Sequence, residues 1–88
     1  MITFYNAPKI DLHGYDRDYA RIVINDFIYD NYIMKQEKVI IIHGNGQNIL
    51  KNTCQETLKK NKYVKEYKIN NFNSGETLVI LNKSVDKK

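Results

Sequence analysis

Hydrophobic and polar residues follow each other along this chain in patterns that predict alternating strands and helices. Residues 9–13 alternate with a period of two, which is typical of a strand, and Gly14 ends the pattern. From Asp16, a suitable N-cap, apolar residues recur at helical spacing as far as about Met34. Residues 38–43 form a continuous, largely β-branched run, which is typical of a strand covered on both faces.

The second half of the chain predicts one more helix and two more strands. Apolar residues four apart, ending at Leu58, indicate an amphipathic helix after residue 47. Residues 63–69 and 77–81 are predicted as strands joined at residues 70–75, where asparagines and a glycine favour a turn with positive φ. The order β-α-β-α-β-β predicts an α/β two-layer sandwich, with a mixed four-stranded sheet and two helices on one face. The other face is expected to be partly open to a partner.

Length and composition predict one small folded domain. The 88 residues are 42% hydrophobic and 27% charged, as in ordinary globular proteins. We expect an N-terminal extension at residues 1–8, a single domain at residues 9–82 and a basic tail at residues 83–88. The lone Cys54 excludes an internal disulfide and a cysteine-rich metal cluster. With neither a long apolar run nor a signal-peptide pattern, we expect a cytoplasmic protein without a membrane partner.

The net charge of +4 is distributed unevenly along the chain. Residues 1–43 contain five basic and six acidic side chains, whereas residues 44–88 contain nine basic and four acidic ones. A basic surplus of this kind favours binding to a polyanion, because lysines that neutralise phosphates release counterions. A lysine-rich solvated surface without a partner is the alternative.

Both histidines directly follow a predicted strand and directly precede a glycine. Strands separated by helices are expected to be parallel, so His13 and His43 should lie at the same edge of the sheet, where α/β folds bind ligands. Asp11 lies two residues before His13 on the same strand face, where a carboxylate can orient an imidazole for acid–base chemistry. Alternatively, both are polar strand-end residues that bind backbone groups.

The loop after the second histidine is a candidate anion site. Gly44 and Gly46 allow a sharp turn whose amides can approach a phosphate at a helix N-terminus, although a plain strand-to-helix turn has the same pattern. The spacing matches neither a dinucleotide fingerprint nor a nucleoside-triphosphate loop. A zinc site from Asp11, His13 and His43 is another alternative, but their spacing is not a recognised ligand pattern.

Two further features have ordinary structural explanations. Tyr63, Lys65 and Tyr67 fall on one predicted strand face and could stack on bases, but packed tyrosines are the more usual explanation. Cys54 lies on the apolar side of its helix, where a small core residue is expected.

Three segments together resemble the Smr (small MutS-related) domain family. They are Ile-Asp-Leu-His-Gly at residues 10–14, Ile-Ile-Ile-His-Gly-Asn-Gly at residues 40–46 and Gly-Glu-Thr-Leu-Val at residues 75–79. The resemblance implies a sandwich similar to the C-terminal domain of translation initiation factor three, and binding to nucleic acid. Several members of the family cleave DNA or RNA, and ribosome-associated members cut messenger RNA at stalled ribosomes.

The resemblance also implies which residues form the site. The implied catalytic residues are Asp11, His13 and His43. The implied nucleic-acid-binding residues are Leu12, Gly44, Asn45, Gly46 and Lys51. Asn45 replaces the usual loop lysine, and Lys51 would supply the missing charge from the next helix.

The resemblance predicts a stand-alone endonuclease that acts on RNA or on nicked or branched DNA, in ribosome rescue or DNA repair. One alternative is a non-catalytic module that binds nucleic acid or ribosomes. Another is a piece of a larger repair protein, against which His13 argues, because paralogues of that kind often have arginine there. No cofactor is assigned, use of a divalent metal ion stays open, and no oligomeric state is predicted.

Overall fold

The computed structural model describes residues 4, 6–45 and 48–83. Its elements in chain order are β1 (Lys9–Asp11), α1 (Arg17–Ile33), β2 (Lys38–Ile42), α2 (Asn48–Lys60), β3 (Val64–Asn70) and β4 (Asn73–Leu81). This order confirms the prediction of β-α-β-α-β-β. The first strand is two residues shorter than predicted, because the chain turns directly after Asp11.

The four strands form one mixed sheet in the order β1-β2-β4-β3. β1 and β2 are parallel, and β4 is antiparallel to both β2 and β3. In this register Asp11 lies opposite Ile42, and Ile42 lies opposite Glu76. The carboxyl ends of β1 and β2 therefore lie at the same edge of the sheet as the turn between β3 and β4.

Both helices pack on one face of this sheet, as predicted for a two-layer sandwich. The buried cluster between the layers is Leu12, Ala20, Ile24, Ile28, Val39, Ile41, Cys54, Leu58, Val79 and Leu81. Ile40, which alternates onto the opposite face of β2, is also only 6% exposed. The central strand is thus covered on both faces, as its continuous apolar run predicts.

The turn between β3 and β4 forms where predicted, but the expected positive φ is wrong. None of residues 70–75 has a positive φ. The side chain of Asn70 instead accepts the N–H of Phe72 (2.9 Å), and that of Asn73 accepts the N–H of Gly75 (3.0 Å). In each case the side-chain carbonyl of an asparagine accepts the backbone N–H two residues later, so the turn forms without a left-handed residue.

The tyrosines around β3 are packing residues rather than a row of exposed rings. Tyr63 precedes the strand, and its ring centroid lies 4.4 Å from that of Tyr32 and 5.4 Å from that of Tyr29. Tyr67 packs against the core, and an irregularity between Val64 and Glu66 interrupts the alternation of side chains. The alternative of packed tyrosines is therefore confirmed.

Over the described ranges, neither helix has the length and apolarity that a bilayer span requires.

Candidate functional site

An open cleft of about 1090 Å³ lies at the edge of the sheet where β1 and β2 end. The turn after β1 and the turn after β2 form its walls together with the first turn of each helix. The lining residues are 11, 13–18, 42–44, 49 and 50. The structure thus brings Asp11, His13, His43 and Gly44 to a single cleft.

The turn after β1 is held by backbone hydrogen bonds and a left-handed glycine. The N–H of Tyr15 donates to the carbonyl of Leu12 (3.0 Å), and Gly14 has φ of +84°. This is the φ that the third residue of a type II turn requires. A Cβ on Gly14 would meet nothing within 4 Å, so the backbone angle, not space, selects glycine here.

His13 is exposed in the cleft, and Asp11 fixes its backbone rather than its ring. The N–H of His13 donates to Oδ1 of Asp11 (2.9 Å). Within the described residues its imidazole forms no hydrogen bond, so the expected direct contact between the carboxylate and the ring is not present. The strand ends at Asp11, which leaves the ring free to meet a ligand.

Leu12 is fully buried in the core between the sheet and the helices. Its N–H donates to the carbonyl of Ile42 (2.8 Å), which extends the β1–β2 ladder by one residue. The prediction that Leu12 contacts nucleic acid is therefore wrong for its side chain. Its apolar side chain instead anchors the turn that presents His13.

His43 is also at the strand end, but it is only 6% exposed and faces the helices. Its Nε2 lies 2.8 Å from Oγ1 of Thr77, and its Nδ1 lies 3.1 Å from the carbonyl oxygen of Gly44. That carbonyl can only accept, so Nδ1 carries the proton and Nε2 accepts from the Thr77 hydroxyl. Gln55 in turn donates to Oγ1 of Thr77 (2.9 Å).

This network binds both ring nitrogens of His43 and favours the neutral form of the imidazole. Burial is the main cause that lowers its pKa, and the hydrogen bond to Gly44 only partly opposes it. Both ring nitrogens are bound within the protein, so this geometry leaves His43 no free nitrogen for the implied catalytic role. Nor do the described residues contain any group of three or more His, Cys, Asp or Glu side chains that could hold a metal ion. The zinc alternative is therefore not formed.

The turn after β2 binds the start of β4 rather than leaving its amides open. The N–H groups of His43 and Gly44 both donate to the carbonyl of Gly75 (2.9 Å each), so the expected phosphate contact of the Gly44 amide is corrected. A Cβ on Gly75 would lie 3.3 Å from Cα of Gly44, so this close approach of two backbones favours glycine. The Oδ1 of Asn45 accepts from the Ser74 hydroxyl (2.6 Å). Gly46 lies outside the described residues.

The cations around the cleft are few. Besides burial, the positive charge of Lys51 lowers the pKa of His43, which places this half-buried lysine close to the second turn. Arg17, the first residue of α1, is exposed in the cleft wall beside Asp16 and Asp18. Lys60 lies at the far end of α2, about 14 Å along the axis from Lys51 at 1.5 Å per residue. The basic residues in the last turn of α2 therefore lie away from the site.

Sequence reasoning missed four residues that build this site. They are Arg17, Gln55, Gly75 and Thr77. Arg17 could have been found, because it follows the N-cap Asp16 at a strand-to-helix turn. The other three act through contacts with residues far away in the sequence. Gly75 and Thr77 belong to the third segment of the family resemblance, but that segment does not indicate their contacts, and no local pattern indicates Gln55.

Comparison with known proteins agrees with this geometry. The family model described as "Smr domain" matches residues 10–82. The endonuclease MutS2 of Clostridium acetobutylicum is 37% identical over 71 residues, and that of Clostridium kluyveri is 33% identical over 75 residues. These alignments cover 81% and 85% of this chain but only 9% and 10% of the relatives. The chain thus spans about a tenth of the curated relatives it matches.

Solved structures show the same fold. The Smr domain of Thermus thermophilus MutS2 superposes with a TM-score of 0.83 at 20% identity, over 86% of this chain and 99% of that one. YdaL, a stand-alone small MutS-related protein from Escherichia coli, superposes with a TM-score of 0.80 at 24% identity, over 85% of this chain and 64% of that one. Since the family model matches almost the whole of the folded region, and the architecture agrees, this chain belongs to the Smr domain family.

Proposed function

We propose that this Smr domain is a nucleic-acid endonuclease that cleaves phosphodiester bonds in RNA or in nicked or branched DNA. The observation that carries the proposal is the exposed, unbonded imidazole of His13 in the cleft at the strand ends. The relatives named endonuclease MutS2 support the same class of activity. Assignment to ribosome rescue or to DNA repair depends on which of these substrates is cut.

His13 is the proposed acid–base group. Phosphodiester cleavage requires a proton to leave the attacking oxygen and a proton to reach the leaving oxygen, and a positioned imidazole can perform either transfer. The chain has only two histidines, and His43 is buried with both nitrogens bound. His13 therefore performs one of the two transfers. Asp11 contributes by fixing the backbone that presents the ring.

Cationic side chains bind the phosphate in this proposal. Arg17 lines the cleft and Lys51 lies close to its second turn, and their charges stabilise the additional negative charge of the transition state. The first turn of α2, which lines the cleft at Ile49 and Leu50, adds helix N–H groups that have no partner within the helix. His43 has a positioning role, because it joins the second turn to Thr77.

A non-catalytic module that binds nucleic acid or ribosomes is the second candidate. The observation that favours it is the closed second turn, in which the Gly44 amide is bound to Gly75 and Asn45, not lysine, is bound to Ser74. Such a turn offers a phosphate few groups for transition-state stabilisation.

Cleavage assays with purified protein separate the two candidates. Labelled single-stranded RNA, duplex DNA, nicked DNA and branched DNA are incubated with the wild type and with His13→Ala, with and without EDTA. We expect cleavage by the wild type and its loss in His13→Ala, with Ile33→Ala on the far end of α1 as a matched control. Cleavage that survives in His13→Ala contradicts the assigned role, and binding without cleavage by the wild type establishes the module. The EDTA arm decides whether a divalent metal takes part.

A further inference from the structure

The turn between β3 and β4 presents a fully exposed aromatic ring. Phe72 is 99% exposed, the largest exposure among the large hydrophobic side chains of the described residues. An aromatic side chain of this size normally buries 150–250 Å² of surface, so complete exposure leaves that favourable contact unused. We refer to residues 70–75, which carry this ring, as the hairpin tip.

Side-chain hydrogen bonds hold the hairpin tip in a defined shape. Asn70 accepts the N–H of Phe72 (2.9 Å) and donates to Oε1 of Glu76 (3.1 Å), so one side chain fixes both strands of the turn. Asn73 accepts the N–H of Gly75 (3.0 Å). The ring is therefore carried on an ordered support, which lowers the entropic cost of using it in binding.

The hairpin tip is joined directly to the candidate site. The Ser74 hydroxyl donates to Asn45 (2.6 Å), and the Gly75 carbonyl accepts the N–H groups of the second turn. The strand order β1-β2-β4-β3 places the tip, which joins β3 and β4, two to three strand spacings from β1. At about 4.8 Å per spacing, the separation of Phe72 and His13 across the strands is roughly 10–15 Å. About three to four stacked nucleotides of one strand cover such a distance at 3.4 Å each.

Resting on the proposed nucleic-acid function, we infer that Phe72 stacks on an unpaired base of a single strand whose backbone passes through the cleft. An exposed aromatic ring is a platform for any base, because every base has a π-face. The bases of an intact duplex are stacked inside the helix and cannot reach the ring. Phe72 therefore directs the site to single-stranded RNA, or to the unpaired part of branched DNA.

The surroundings of the ring favour a base over an apolar protein partner. Its neighbours Asn71, Asn73 and Ser74 are exposed and polar, whereas an aromatic hot spot in a protein interface lies in a well-packed, desolvated patch. Amide side chains beside a stacking ring can hydrogen-bond to the edges of a splayed base. Lys68, exposed on β3, adds a cation two residues before the hairpin tip.

Equilibrium binding to labelled oligonucleotides tests this inference. Wild type, Phe72→Ala and the control Ile33→Ala are titrated with single-stranded RNA, single-stranded DNA and a blunt duplex of the same sequence. We expect Phe72→Ala to weaken single-strand binding about 10- to 100-fold and duplex binding less than about twofold. The slope of log affinity against log salt should not change, because no charge is removed. The RNA and DNA arms identify the natural strand.

A tryptophan at the tip gives a direct signal of stacking. The chain contains no tryptophan, so Phe72→Trp introduces a single indole, and we expect its fluorescence to be quenched by a single strand but not by the duplex. Ile33→Trp, on the far end of α1, should not respond. Wild-type affinity in Phe72→Ala, or equal losses for single strand and duplex, overturns the inference while the nuclease proposal stands. Failure of the wild type to bind any of the oligonucleotides overturns both.

Discussion

The two histidine–glycine turns of this domain look alike in sequence but have opposite environments. Each follows a strand, and the glycines have nearly the same φ, +84° at Gly14 and +82° at Gly44, with open space where a Cβ would be. Yet the ring of His13 is exposed and unbonded within the described residues, whereas that of His43 is 6% exposed and bonded at both nitrogens.

The alternation of side chains explains this difference. The β1–β2 register, extended by one residue, places buried Leu12 beside buried His43, whereas His13 comes one residue later in its turn. The two turns are therefore displaced by one residue relative to the pleat, and one residue exchanges the two faces of a strand. The same dipeptide can thus present a reactive group or lock a loop, depending on the position of the core residues before it.

Replacing the exposed histidine should have the largest effect on activity. We expect His13→Ala to lower the rate of phosphodiester cleavage about 10²- to 10⁴-fold, the usual contribution of a general acid or base. The melting temperature should change little, because the side chain is exposed and its ring forms no hydrogen bond within the described residues. Single-turnover cleavage and thermal denaturation measure the two effects. A large loss of stability would show that His13, like His43, has a structural role.

Replacing the buried histidine should instead reduce stability. We expect His43→Ala to lower the free energy of unfolding by about 1–3 kcal/mol, because it leaves buried partners unpaired. Thr77→Val should cost a similar amount, and the double variant should lose less than the sum because both changes break one network. Denaturant unfolding gives all three values. Strictly additive losses would contradict the network.

The two turn glycines should respond alike when each is replaced by alanine. A left-handed backbone costs a residue with a Cβ about 1–2 kcal/mol, and neither site has a steric clash to add to this cost. Gly75→Ala should cost more, since its Cβ would lie 3.3 Å from Gly44. Unfolding free energies of the three variants test this order. A markedly larger loss at Gly44 than at Gly14 would contradict the symmetry of the two turns.

The pH dependence of stability should come from the buried histidine. Burial holds the pKa of His43 below its ordinary 6.5, so the unfolded state takes up the proton more readily than the folded state. The contribution of His43 is present above pH 6.5 and is lost as pH falls through its lowered folded-state pKa. Melting temperatures measured from pH 8 to about pH 5 should fall for wild type and for His13→Ala. In His43→Gln this part of the decrease should disappear, and an unchanged profile would refute the assignment.

The smallest expected effect belongs to the cation beside the second turn. Lys51→Ala should reduce the slope of log affinity against log salt by about one unit, the value for one lost phosphate contact. Lys60→Ala, at the far end of the same helix, is the matched control and should leave the slope nearly unchanged. Equal effects of the two variants would indicate diffuse attraction rather than a contact at the cleft.

The sequence predicts the fold better than it predicts the site. The period of two in residues 9–13, the helical spacing in α1 and the β-branched run of β2 are local signals, and each predicts its element, although β1 ends two residues earlier than expected. The inward direction of His43 is not a local signal. β2 is apolar at every position from 39 to 42, so no polar residue marks which face meets the helices.

The remaining features of the site depend on contacts between distant parts of the chain. The Gly44 amide is bound by a carbonyl 31 residues away, and His43 by a hydroxyl 34 residues away, so neither is available as the turn alone suggests. The sequence shows the uneven charge of the chain. Only the direction of α2 shows that two of the three lysines of this helix lie away from the cleft.

The buried thiol of Cys54 gives this domain an internal reporter of core opening. Burial raises its pKa to about 12, so only a trace of thiolate exists at neutral pH. Alkylating reagents react with the thiolate and need access to it, so they should not modify Cys54 while the chain is folded. Alkylation of Cys54 will then proceed at the rate at which α2 separates from the sheet, and a cysteine introduced at the surface can be labelled selectively beside it.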